Sequence, residues 1–142
     1  GTSIRRWIEE PQAPDSRAEI FAAHTFHGIT NYYPMRVIRT PEYKFIWNIA
    51  HPLPYSFASD LWKSATWQAV QRDRPEWFGA RRVADYLQRP QFELYDLTRD
   101  PQEVNNLAAR PEHAAHVESF VAKLKDYQRQ TKDPWLHKWE YE

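Results

Sequence analysis

The reactive side chains of this 142-residue sequence are six histidines, nineteen carboxylates and nineteen Lys or Arg, with no cysteine. His24 and His27 stand three apart, as do His113 and His116. On a helix that spacing puts two imidazoles on neighbouring positions of one face. Zinc requires a third and usually a fourth ligand, and no HExxH run supplies them. His113 and His116 flank an apolar stripe and read as a solvated helix face. On a strand, His24 and His27 face opposite sides and converge only if Thr25-Phe26 bends, so His24 reads as a packed strand residue. Carboxylate pairs can do acid–base work. Here Glu9-Glu10 falls in a linker-like stretch, and Asp96 and Asp100 flank a turn, where capping backbone N–H groups is the ordinary task. From Trp67 to Arg89, five arginines (Arg72, Arg74, Arg81, Arg82, Arg89) oppose Asp73, Glu76 and Asp85, and Trp67, Trp77, Phe78 and Tyr86 interleave with them. Guanidinium forks pair with sulfate, phosphate or carboxylate, and flat rings stack on sugars or bases. The simpler reading is a solvated face whose Arg stems cover a core.

Composition removes several classes. Without cysteine there is no disulfide framework, thiolate metal site or thiol nucleophile. Three glycines, Gly1, Gly28 and Gly79, cannot build a GxGxxG turn or a P-loop. A formal charge of zero speaks against a dedicated nucleic-acid module. No apolar run reaches the roughly 18–20 residues of a membrane span, and no basic-then-apolar signal peptide opens the sequence. The length suits one domain, able to bury roughly 68–70% of its unfolded surface without staples.

The elements that must position these residues follow from periodicity and punctuation. Residues 1–17, with Pro11 and Pro14, are expected to be a peripheral linker. Residues 18–27 read as a strand ending at Gly28. Residues 35–39 and 43–49 read as an antiparallel hairpin around Thr40-Pro41, with Tyr43, Phe45, Trp47 and Ile49 on one face. The HPLPYSF run, 51–57, is a loop. Ser59 is expected to cap one helix over 60–72 with a Leu61, Trp62, Ala65, Ala69 stripe. A short helix follows over 81–87, then a strand over 91–97 and an Asp-Pro turn. Pro111 opens a long helix with Ala114, Val117, Phe120, Val121, Leu124 and Tyr127 on its apolar face, and Asp133-Pro134 stops it. The expected fold is α+β, a small antiparallel sheet of about four strands with one long C-terminal helix packed on it.

Residues 93–103, ELYDLTRDPQE, followed by Asn105-Asn106-Leu107-Ala108, resemble a segment near the C-terminus of type I, formylglycine-dependent sulfatases. Tyr33-Pro34-Met35-Arg36-Val37-Ile38-Arg39-Thr40 and Tyr43-Lys44 resemble the strand pair of the same subdomain. Asp133-Pro134-Trp135, with His27 ahead of Tyr33-Pro34, narrows the resemblance to sulfamidase-like members, which carry His-His-Glu where this sequence has Phe26-His27-Gly28. Only His27 carries over. The resemblance covers about 18–136. It implies that 18–142 is the C-terminal subdomain of a hydrolase acting on sulfate esters or N-sulfates of sulfated sugars. Its partners would be its own N-terminal catalytic domain and a sulfated saccharide, not nucleic acid or membrane. Formylglycine and calcium would sit in that absent domain, with no cofactor, metal or catalytic residue here. Tyr32-Tyr33-Pro34-Met35-Arg36 keeps the spacing of the formylglycine signature but has Tyr32 where that signature needs Cys or Ser. The resemblance further implies that the chain alone is inactive, that His27 and Tyr33 wall the substrate cleft, and that the parent is exported, as many members are. Arg36 and Arg39 are expected to form ion pairs on the sheet surface, and the 96–107 turn to be structural. Two other readings stay open: a stand-alone binding module for sulfated or acidic glycans, using the Arg and Trp stretch, and an interaction domain whose aromatics cover a protein partner.

Overall fold

The computed structural model describes residues 5–9, 19–28 and 31–141. In chain order the elements are α1 (Arg5–Glu9), β1 (Ile20–His27), β2 (Asn31–Arg39), β3 (Tyr43–Asn48), α2 (Ser59–Lys63), α3 (Ala65–Asp73), β4 (Trp77–Phe78), β5 (Arg81–Arg82), α4 (Val83–Leu87), β6 (Phe92–Asp96) and α5 (Ala114–Thr131). Two 3-10 turns, Pro111–His113 and Pro134–Trp139, flank α5. Apart from the single turn α1, the expected linker 1–17 lies outside the described residues.

The fold is α+β, as the patterning implies. The sheet is antiparallel in the order β1-β2-β3-β6. Phe21, Ile38, Phe45 and Leu94 stand in register across all four strands and therefore share one face. On that face Phe45 stacks on Phe120 at 5.6 Å, and Leu124 completes a buried cluster with Ile38, Trp47, Ile49 and Leu94. Tyr127 lies flat on Phe21 at 4.1 Å. The helix stripe is buried at Phe120, Leu124 and Gln128, whereas Ala114 at its start is exposed.

The other face is buried too, which the alternation of β6 does not announce. Residues 51–90 cover it, so Glu93, Leu94 and Tyr95 are all buried, and Asn48 and Tyr33 with them. Here the structure corrects two expectations. The helix expected over 60–72 is two helices, because Ser64 is extended and its Oγ accepts a hydrogen bond from Trp67 N at 3.1 Å. A serine hydroxyl competes with helical backbone pairing and makes a better cap than interior residue. Ala58, not Ser59, holds the first cap position, with no side-chain cap, and the inward residues are Trp67 and Val70 while Trp62 is half exposed. The helix expected over 81–87 begins only at Val83. Before it, β4 and β5 pair around Gly79, whose φ of +62° suits glycine.

The sulfatase-like motif is a device for finishing the sheet edge. Asn106 Oδ1 accepts from Leu94 N and Ala108 N, each at 2.9 Å, and its Nδ2 donates to Phe92 O at 3.1 Å. One amide thus pairs the outer edge of β6 as a neighbouring strand would. Asp96 Oδ1 accepts from Thr98 N and Arg99 N, and Asp100 Oδ2 accepts from Asn105 N at 2.7 Å. Both carboxylates cap backbone, as expected of them.

Arg36 departs from the surface pairing expected of it. Its guanidinium is buried and binds both oxygens of Asp133, Nε at 2.5 Å and Nη2 at 2.8 Å, beneath the Trp135 ring. Arg39 is exposed and has no ion pair among the described residues. Burial pushes the Asp133 carboxyl up, but hydrogen bonds from Arg36, Trp135 N and Gln128 outweigh it and hold the pKa below its ordinary value. A lowered pKa gives stability that is present above the unfolded value near ~3.9 and lost as pH falls through the folded one. Asp133→Ala strands a buried cation and is expected to cost about 3–5 kcal/mol in a urea titration at neutral pH. The variant should also lack part of the wild-type acid slope, and an unchanged midpoint would count against the clamp.

Candidate functional site

Of the concavities among the described residues, two beside the covered face of the sheet hold the candidate side chains. The first lies where β1 turns into β2. Gly28, at φ +68°, allows that turn. His27 pairs with Asn31 across it, and both border a shallow depression of about 600 Å³ with Tyr55, Ser56, Asp60 and Trp62. Ser56 Oγ donates to Asn31 Oδ1 at 3.1 Å, tying the proline-rich loop to the strand. His27 is exposed, so its imidazole is available to a hydroxyl or an anionic oxygen. His24 is half-buried, its Nδ1 lying 3.1 Å from Tyr33 O, as a packed strand residue would be.

Tyr33 has no exposed surface. Its ring meets the edge of Tyr55 at 5.0 Å, so it offers no free face for stacking on a sugar. The β1–β2 register shifts between His24 and Phe26, and Tyr33-Pro34 supply the extra residue opposite Thr25. Tyr33 Oη has no hydrogen-bond partner, and burial pushes its pKa from 10 up to about 12.

The second concavity, about 420 Å³, lies between the sheet and the arch formed by β4, β5 and α4. Its floor is Glu93, which accepts from Asn48 Nδ2 at 2.6 Å and from Tyr95 Oη at 2.5 Å. Burial, then the Glu93 carboxylate, push the Tyr95 hydroxyl's pKa up. Arg81, Arg82, Arg89 and Arg110 line the walls against Asp85 and Glu93. Of the Arg–aromatic stretch, Trp77, Arg81, Arg82, Tyr86 and Arg89 line this concavity, whereas Arg72 and Arg74 are a solvated surface outside it. Arg110 and the Glu93 floor come from outside that stretch. Nothing in the ELYDL alternation marks Glu93 as buried, because the layer that covers it comes from 51–90.

His113 and His116 sit with ring centroids 5.8 Å apart, and His116 packs beside Tyr43 at 5.1 Å. No group of three or more His, Asp or Glu placed to hold a metal occurs among the described residues, and no described helix is long and apolar enough to cross a membrane. What the two concavities offer is hydrogen bonding, ion pairing and aromatic contact.

The architecture itself is shared. A 2-O GAG sulfatase aligns over 95% of this chain and 21% of its own, with a TM-score of 0.58 at 20% identity. A protein solved with D-glucosamine-2-N,6-O-disulfate, described as its substrate, aligns over 94% of this chain and 20% of its own, with a TM-score of 0.56 at 18% identity. The fold is thus one found within sulfatase structures. In sequence the chain is sulfatase-like as well: it is 31% identical over 124 residues to human N-sulphoglucosamine sulphohydrolase, across 84% of this chain and 24% of that protein. No family profile matches. The chain spans about a quarter or less of the length of each of these relatives.

Tyr33→Phe tests the packing beneath the first depression. It removes a buried hydroxyl with no partner, so stability at pH 7 should be unchanged or rise by up to about 1 kcal/mol. The raised pKa adds a sign. Tyr33's contribution is complete below pH ~10, where the unfolded phenol ionises, and is lost as pH climbs through the folded value. Thermal melts from pH 9 to 12 should fall less steeply for the variant, and a clear loss of stability at pH 7 would contradict this packing.

Proposed function

We propose that residues 18–142, joined by 1–17 as linker, are the C-terminal subdomain of a longer sulfatase that hydrolyses sulfate esters or N-sulfates of sulfated sugars. The observation that carries this reading is the 31% identity to N-sulphoglucosamine sulphohydrolase over most of this chain but only 24% of the relative. In this reading the upstream catalytic domain bears the formylglycine and calcium. Position 32, in the x-x-P-x-R frame at 32–36, is Tyr32 rather than an oxidisable Cys or a Ser, and Pro34 and Arg36 are wholly or nearly wholly buried in the sheet. The subdomain packs on that domain and walls one side of its substrate cleft, with His27 at the mouth. An exposed imidazole beside Asn31 and Ser56 suits a sugar hydroxyl or a uronate carboxylate. Tyr33 backs that wall from within the sheet rather than touching the sugar.

The test is enzymatic. The 142-residue chain alone should release no sulfate from N-sulfoglucosamine or an arylsulfate, whereas the longer protein should turn over at least one of them. In the longer protein, His27→Ala should lower kcat/KM about tenfold, the scale of one hydrogen bond to a charged group. Turnover by the chain alone would overturn the subdomain reading, and an unchanged kcat/KM would remove His27 from the cleft.

A further inference from the structure

The cavity above Glu93 is organised in a way that packing alone does not require. A solvated arginine face would have its guanidinium groups in water or paired with neighbouring carboxylates. Two of the four arginines here are committed. Arg82 Nη2 lies 3.2 Å from the Glu76 carboxylate, and Arg81 Nη2 donates to the carbonyls of Gln102 and Glu103. Arg89, half-buried, and Arg110, which is exposed, have no carboxylate partner among the described residues. Arg89 is nonetheless held in place: its guanidinium carbon lies 3.8 Å from the Tyr55 ring centroid and 5.8 Å from that of Tyr86. Contact with the Tyr55 ring, and the nearby Tyr86 ring, holds the guanidinium without pairing it to a protein acid.

The rest of the cavity has complementary chemistry. Trp77 stands at its rim, half exposed, with Arg82 5.9 Å from its ring centroid. An exposed indole face suits the C–H surface of a pyranose, because the ring's negative face meets weakly positive hydrogens. Glu93 on the floor can accept from sugar hydroxyls, since two donors do not exhaust a carboxylate's lone pairs. A volume of about 420 Å³ falls within the usual range for a small-ligand site.

We propose that this cavity is a second saccharide-binding site, distinct from the depression at His27, which takes one anionic sugar residue. The sugar's oxyanion pairs with Arg89 and Arg110, and its ring lies on Trp77. All of the site's residues belong to this chain, so the inference stands whether or not the catalytic reading does.

The test is calorimetric titration of the 142-residue chain with a heparin-derived hexasaccharide, with its desulfated counterpart that keeps the carboxylates, and with inorganic sulfate. A saturable hexasaccharide site is expected, weakened at least about tenfold by Arg89→Gln with Arg110→Gln and by Trp77→Ala, and unchanged by Arg99→Gln with Arg129→Gln, two exposed arginines outside the cavity. Arg89→Lys, which keeps charge but loses the planar fork, should weaken it too. Binding of the desulfated chain at similar strength would assign the oxyanion to carboxylate, and its loss would assign it to sulfate; both keep the site. Trp77 is half exposed, so Trp77→Ala carries the test if the arginine variants fold poorly. No binding, binding insensitive to these substitutions, equal loss on removing the exposed Arg99 and Arg129, or sulfate binding as tightly as the hexasaccharide would each overturn the proposal.

Discussion

The buried pair of Arg36 and Asp133 is the contact on which the arrangement of this chain turns. It joins residues 97 apart, the middle of the second strand and the residue just beyond the long helix. Burying two charges costs several kcal/mol per ion unless their remaining hydrogen-bonding capacity is met. Here it is met. Arg36 also donates to the carbonyls of His24 and Met35, and Asp133 accepts from Trp135 N and Gln128 Nε2 as well. The network extends outward, because Gln128 Oε1 accepts from Trp139 Nε1 at 2.7 Å and Trp139 stacks on Trp47 at 3.6 Å. The aromatic tail is thereby folded back over the sheet, and the end of α5 is fixed relative to β1 and β2. A purely apolar contact would hold α5 against the sheet with less control over its register, whereas a bidentate fork accepts one geometry.

That clamp secures one face of the sheet, and the other face is left for polar work. The helix side is a conventional core of Ile38, Phe45, Trp47, Leu94, Phe120 and Leu124. The covered side holds Tyr33, Asn48, Glu93 and Tyr95, with Tyr33 Oη and Asn48 Oδ1 lacking partners. Such groups are costly to bury. They lie under the loop and short helices that border both concavities. The helix-packed face of the sheet therefore backs the face whose covering layer borders both concavities.

Much of this was legible in the sequence. The period-two run of Tyr43, Phe45, Trp47 and Ile49 and the proline and glycine punctuation marked the hairpin, the last strand and the long helix. The roles of Asp96 and Asp100 followed from turn chemistry alone. What escaped depended on contacts distant in sequence. Nothing near Arg36 announces Asp133, so a surface pair was the natural expectation. Alternation over 91–97 sets Glu93 and Tyr95 opposite Leu94 but does not announce that 51–90 covers that side and buries Glu93. Tyr33 looked available for stacking until that same layer enclosed it. Ser64 interrupted a helix whose apolar spacing continued across it, since periodicity does not register a hydroxyl that caps. Of the site residues, His27 was visible only through family resemblance. The cavity above Glu93 needed Arg110 and the β4–β5 arch, which no linear motif brings together.

The central claim is that this chain completes a sulfatase rather than acting alone, and reconstitution tests it most directly. The upstream portion of the longer protein would be produced with and without these 142 residues, and sulfate release from N-sulfated glucosamine oligosaccharides measured for each. The account predicts hydrolysis when both parts are present, joined or mixed, and a kcat/KM at least about tenfold lower without this chain, the factor that ~1.4 kcal/mol of transition-state binding represents. An upstream portion that hydrolyses these substrates equally well on its own would contradict it.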